Sequence, residues 1–204
     1  MSTEDTLEKI ASQIRNCTEC KLHLSRKNAV PGEGPAEAEL MFIGEAPGFH
    51  ENEQGRPFVG AAGKFLDELL LSIGLDRNRV FIGNVIKCRP PGNRDPQADE
   101  MEACEKFLAR QIEIINPKVI ITLGRFSMAR YIPNVRISDV HGQARWVNGR
   151  LVVAMYHPAA ALHQPSLRSV VAQDFSKLPG YVEQAQKAET LPEPPPAPEQ
   201  LSLF

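Results

Sequence analysis

The residues whose types could do chemistry fall into two sets. In the first, a carboxylate (Glu45 in GEAPG) follows the apolar run AELMFI, an amide (Asn84) lies near the end of VFIGN, and an imidazole (His157 in YHP) follows LVVAM. An aromatic ring, Phe58, stands in the loop GRPFVG shortly after the carboxylate. The second set is four cysteines, spaced Cys17-x2-Cys20 and Cys88-x15-Cys104. A carboxylate, an amide, an imidazole and a ring around one pocket suit a flat heterocycle. The amide can match one donor and one acceptor on a base edge while the ring stacks on its face. The imidazole can donate to an oxygen that gains negative charge as a bond breaks, and the carboxylate can orient a water or stabilise a developing cation. Each has a plainer use alone: a strand-end glutamate can cap the next segment, and a phenylalanine usually packs in a core. Their joint placement at strand ends carries the reading.

Bringing them together requires strands that end at a common edge. The apolar runs Leu40–Gly44, Val80–Ile86, Val119–Leu123 and Leu151–Met155 read as strands. Helical spacing appears over 3–15, Ala61–Ile73, Gln97–Ile115 and Ser166–Lys177, with a short helix after Gly124. Trp146–Arg150 reads as a hairpin around an Asn-Gly turn. This alternation predicts an α/β fold: a four-stranded parallel sheet flanked by helices in three layers. In such sheets ligands bind beyond the carboxyl ends of the strands, where Glu45, Asn84 and His157 all fall.

The bulk properties bound the function. A chain of 204 residues with net charge −2 is one ordinary domain, here 1–180, with a tail. The charge announces no nucleic acid globally, yet local clusters such as Lys87, Arg89 and Arg94 could make such contacts. No apolar stretch is long enough to span a bilayer and MSTEDTLEKI is not a signal peptide, so a cytoplasmic monomer is expected. No glycine-rich phosphate cradle appears, which argues against a flavodoxin-like redox protein. In a reducing compartment the cysteines are not expected to form disulfides. Four thiolates suit zinc or an iron–sulfur centre equally, and spacing does not choose between these; free thiols are the third reading.

GEAPG…GRPFVG, NVIKCRPPGNRDP and YHPAA, with the four spaced cysteines, strongly resemble the family 4, iron–sulfur uracil-DNA glycosylases, over about Cys17 to Leu178. The resemblance implies hydrolysis of the N-glycosidic bond of deoxyuridine in single- or double-stranded DNA during base excision repair. It implies a structural 4Fe-4S cluster on Cys17, Cys20, Cys88 and Cys104, with zinc the alternative. It assigns Glu45 to the catalytic water, Phe58 to stacking, Asn84 to the base edge and His157 to the departing uracil. The backbone of the turn at Gly44, Ala46 and Gly48 would hold the uracil anion and bar the thymine methyl. Leu162 could wedge into the duplex, with Arg89, Arg94 and Arg168 as phosphate contacts. This chain departs from the family at Asn52, where relatives often carry Asp, and at His163, where they often carry Arg. It has no histidine in RPPGNRDP, the place used by a covalently captured relative, so ordinary turnover is expected.

From 181 to 199 the chain turns Pro-rich, as an extended spacer rising about 3.1 Å per residue would. It leads to QLSLF, 200–204, which resembles the peptide by which bacterial repair proteins dock on the sliding clamp. Leu201, Leu203 and Phe204 would fill an apolar pocket with Gln200 at its rim, placing the protein at the nucleoid of a bacterium. Two other functions compete: a non-catalytic, metal-bearing DNA- or clamp-binding module, and a glycosylase for another deaminated base such as hypoxanthine.

Overall fold

The computed structural model of the protein describes residues 3–189. The chain begins with α1 (Thr3–Asn16), β1 (Leu40–Gly44), α2 (Phe49–Gln54), α3 (Ala61–Ser72) and β2 (Phe81–Asn84). It continues through α4 (Ala98–Ile115), β3 (Val119–Leu123), α5 (Arg125–Ala129), α6 (Ile137–Val140), β4 (Gln143–Val147) and β5 (Arg150–Met155). It closes with α7 (Pro158–His163), α8 (Leu167–Phe175) and α9 (Leu178–Glu189).

Alternate side chains along each strand enter opposite cores. Phe42, Ile82, Ile121 and Val153 face α3, α8 and α9, where Phe42 stacks on Phe175 with centroids 5.8 Å apart. Met41, Ile43, Phe81 and Ile120 face α1 and α4, meeting Ile10, Ile14, Phe107 and Leu108. Because both faces are covered, β1 and β3 are buried at every position and read as unbroken apolar runs.

The sheet has five strands in the order β2-β1-β3-β5-β4, not the four expected. Four are parallel, while β4 joins the edge antiparallel to β5 through a hairpin. The Asn-Gly turn is there, with Asn148 and Gly149 at φ 49° and 76°, but β4 is largely exposed and carries no apolar run to mark it. The second correction concerns residues 181–189. They belong to α9, with Tyr181, Val182 and Ala185 packed on the core, rather than to a spacer. Pro179 sits in the first turn of α9, where a missing N–H breaks no helical bond. The remaining spacer and Gln200, Leu201, Leu203 and Phe204 lie outside the described residues. No described helix is long and apolar enough to cross a membrane.

Candidate active site

The three strand tips converge as the sequence predicted. Glu45, Asn84 and His157 line one cavity of about 370 Å³ together with Ala46, Gly48 and Phe58. Its floor is the end of the β1–β2 ladder. Gly44 pairs with Asn84, and the N–H groups of Val85 and Ile86 donate to the carbonyls of Gly44 and Glu45 at 3.0 and 3.1 Å. Gly44 does not face the cavity; it lies beneath it. A Cβ there would stand 2.4 Å from Asn84 Oδ1 and 2.8 Å from the Phe58 ring, so only glycine lets amide and ring approach this closely.

Asn84 is 2% exposed, and its Oδ1 is buried with no hydrogen-bond partner. An orphaned acceptor of this kind costs on the order of 1–3 kcal/mol, a cost that a ligand N–H would remove. Its backbone is held from below: Lys87 Nζ donates to the Asn84 carbonyl at 2.9 Å and to Gln111 Oε1 at 2.8 Å. Lys87 is 1% exposed, with its pKa lowered by burial to about 8. It is therefore a buried strut and not the surface phosphate contact its sequence neighbourhood suggested.

His157 is the N-cap of α7, with Pro158 at the first helical position. The Ala159 N–H donates to Nδ1 at 3.1 Å. Since that N–H can only donate, Nδ1 must be unprotonated and the neutral ring carries its hydrogen on Nε2. Burial lowers the pKa to about 4, against a smaller opposing effect of Glu51, so the ring is neutral at pH 7 and Nε2–H is a ready donor. Glu45 is half-buried, and its pKa is raised by that burial and then by Asp95, while Arg125 lowers it. Asp95 and Arg125 form an ion pair with each other.

Phe58 has φ 51°, a conformation that a bulky residue adopts only when its surroundings impose it. Three residues that the sequence reading did not name impose it. Arg77 donates to the carbonyls of Phe58 (3.0 Å) and Pro57 (2.6 Å). Glu51 accepts from the N–H groups of Gly48 (3.1 Å), Val59 (2.8 Å) and Gly60 (3.0 Å), fastening the GEAPG turn to the GRPFVG loop. Gly63 admits the Phe58 carbonyl where a Cβ would sit 1.8 Å away. The Phe58 ring ends nearly parallel to that of His157, 5.4 Å between centroids. Glu51 was findable, because a glutamate three residues after the N-cap Gly48 has capping-box spacing. Arg77 gave no local signal.

The four cysteines also meet. Cys17 and Cys20 follow α1, Cys88 lies beyond β2, Cys104 is on α4, and all line one small cavity with Arg26 and Lys87. Burial raises the thiol pKa values of Cys20, Cys88 and Cys104, the last to about 11, and neighbouring thiols raise each further. Arg26 Nη1 donates to Cys88 Sγ at 3.2 Å, and Lys87 lies near Cys104. A set of four soft donors beside two cations fits a metal group that takes thiolates. Among the described residues, no three His, Cys, Asp or Glu side chains are arranged as they would be around a bound ion, so the fit rests on donor chemistry and the shared cavity.

The remaining sequence-predicted contacts scatter. Leu162, on α7, is 39% exposed and so is not core. Arg94 lines the cavity but is held bidentately by the buried Glu100 at 2.9 and 2.5 Å. Arg168 pairs with Glu68 at 3.0 Å, lies over the Phe65 ring and does not line the cavity. Arg89 donates to Asn93 Oδ1 at 2.7 Å.

A parallel α/β sheet with an amide, a neutral imidazole donor, a carboxylate and an aromatic ring around a base-sized cavity defines a protein that handles a flat polar heterocycle. Comparison with known proteins gives the family. The model of the uracil DNA glycosylase superfamily matches residues 31–178, and the chain belongs to that superfamily. The type-4 uracil-DNA glycosylase of Sulfurisphaera tokodaii is 50% identical over 185 residues, spanning 85% of this chain and 84% of that protein. Those of Archaeoglobus fulgidus and Thermotoga maritima are 48% and 42% identical, spanning 85% and 88% of this chain and 92% and 96% of theirs.

Proposed function

We propose that the protein is a uracil-DNA glycosylase, cleaving the bond between uracil N1 and deoxyribose C1′ to leave free uracil and an abasic site. The observation that carries this reading is the buried, unpartnered Asn84 Oδ1 in a base-sized cavity. Uracil offers a donor at N3–H and an acceptor at O4, which suit Oδ1 and Nδ2 of one amide. Cytosine has an amino group where Nδ2 would donate and no hydrogen at N3, so it is rejected by an unmet pair of polar groups.

The target nucleotide leaves the stack, at a cost of a few kcal/mol, and its base packs against Phe58. As the N1–C1′ bond breaks, its electron pair goes to uracil and the sugar becomes oxocarbenium-like. Nε2–H of His157 and the backbone amides of the Glu45–Gly48 turn stabilise the anion, each such donor being worth about 3 kcal/mol. The carboxylate of Glu45 orients the water that adds at C1′ and stabilises the positive sugar. Uracil then takes up a proton. No step needs redox chemistry.

Cys17, Cys20, Cys88 and Cys104 would hold a 4Fe-4S cluster, which would fasten α1, the loop after β2 and α4 together. Leu162, Arg89, Arg94 and Arg168 are proposed for DNA, and QLSLF for a bacterial sliding clamp, reached through the Pro-rich spacer. These assignments describe a cytoplasmic bacterial repair enzyme, a monomer associated with the nucleoid. The test is uracil release from an oligonucleotide with one deoxyuridine, beside Glu45→Ala and Asn84→Ala. Release that drops at least a hundredfold in both variants supports the pocket as assigned. No release by the wild type would shift the reading to another deaminated base or to a binding module.

A further inference from the structure

Beside the cavity stands a side chain that the chemistry above does not use. Phe49 follows Gly48 directly and is 54% exposed, the one phenylalanine among the exposed large apolar side chains of the described residues. Arg89, on the loop after β2, places its guanidinium 5.3 Å from the Phe49 ring centroid. Asn93 Oδ1 accepts from Arg89 Nε at 2.7 Å and orients that guanidinium. Among the described residues Arg89 pairs with no carboxylate. Phe49 and Arg89 each adjoin in sequence a residue that lines the cavity, Gly48 and Pro90.

A large apolar ring held open to water beside a ligand cavity, with a cation over one face, matches how proteins hold single-stranded nucleic acid. There, bases stack on exposed aromatic rings while basic side chains meet the backbone. We propose that Phe49 and Arg89 form a platform for a nucleotide next to the extruded uridine in the same strand. The neighbouring base stacks on Phe49 and its phosphate meets Arg89. The platform rests on the glycosylase reading for the identity of the strand. It adds a binding determinant outside the base pocket, contributed by the first residue of α2 and the loop after β2.

The test is equilibrium binding of a single-stranded oligonucleotide carrying 2′-fluoro-2′-deoxyuridine, which resists cleavage. Matched oligonucleotides have the 5′ or the 3′ neighbour replaced by a baseless tetrahydrofuran residue. Phe49→Ala is expected to raise Kd about tenfold, and Phe49→Tyr to restore it, since stacking needs only a ring. Removing one neighbouring base should weaken the wild type by a similar factor and leave Phe49→Ala unaffected. In turnover the loss should fall on KM. A wild type indifferent to both neighbours, or Phe49→Ala as sensitive to base removal as the wild type, would overturn the platform. Uracil release from ordinary deoxyuridine, measured in parallel, separates the two readings. Neighbour-dependent binding without release leaves the platform standing and overturns the glycosylase; release without neighbour dependence does the reverse.

Discussion

The base cavity and the cysteine corner share the loop after β2, where Cys88 lines one and Pro90 and Asn93 line the other, yet they are built by opposite means. At the cavity the protein supplies its own constraints. Glu51 gathers three amide hydrogens, Arg77 holds two carbonyls, and Ala159 fixes the tautomer of His157. The polar atoms left over, Asn84 Oδ1 above all, are those a base can use. At the cysteine corner, burial and mutual proximity push the thiols away from the ionised form that a metal takes. Arg26 and Lys87 only partly oppose this. The cavity is preorganised by hydrogen bonds; the corner would need a bound cation to hold its thiols in the anionic form. Damage to the first should therefore cost rate, and damage to the second should cost stability.

The largest expected effect tests the first half. His157→Ala removes the Nε2 donor and should lower single-turnover uracil release by about 10²–10³. The lost cap should move Tm by only about 3 °C. Thermal melts beside the kinetics check this, and a collapse of Tm would erase the distinction between the regions. Cys104→Ser tests the other half: Tm should fall by about 10 °C, as a loss of roughly 3 kcal/mol or more implies for a chain of this size. Uracil release per folded molecule should hold, as read by activity normalised to the folded fraction.

Gly63→Ala sharpens the comparison because it strikes packing and site together. Its Cβ would meet the Phe58 carbonyl at 1.8 Å. Overpacking of about 1–3 kcal/mol should appear both as a lower Tm and as a raised KM. The smallest effect is electrostatic. A water-orienting carboxylate must be ionised, so activity should fall as the pH drops through the raised pKa of Glu45, before His157 titrates near 4. In pH–rate profiles, Asp95→Asn should move this limb to lower pH and Arg125→Ala should move it to higher pH. Stability follows its own sign. The folded pKa of His157 lies below its unfolded value of 6.5, so the unfolded state binds more protons between 6.5 and about 4, and stability should decline as pH falls through that window.

The parallel core was legible because buried strands leave unbroken apolar runs, and strand order places their tips together. Edge strand β4 was not, since an exposed antiparallel strand such as QARWV has neither an apolar run nor clean alternation. Residues 181–189 misled because the Pro-rich run after them was read as one spacer with them; only the apolar surface waiting for Tyr181 and Ala185 decides. Lys87, set among basic loop residues, looked like a surface contact, and its burial depends on Gln111, distant in the chain.

By itself the sequence determined which polar groups would meet at one edge of the sheet. Glu45, Asn84 and His157 end apolar runs, and a strand that is buried on both faces can present polar side chains only at its tip. It also determined the cysteine set, whose donor chemistry is intrinsic to the residues. Only the tertiary structure decided the states of those groups. The hydrogen on Nε2 of His157, the orphaned Oδ1 of Asn84 and the forced backbone of Phe58 each depend on neighbours that local spacing does not encode. Hydrogen bonding, desolvation and strain are properties of the assembled surroundings, so they exist only once the chain has folded.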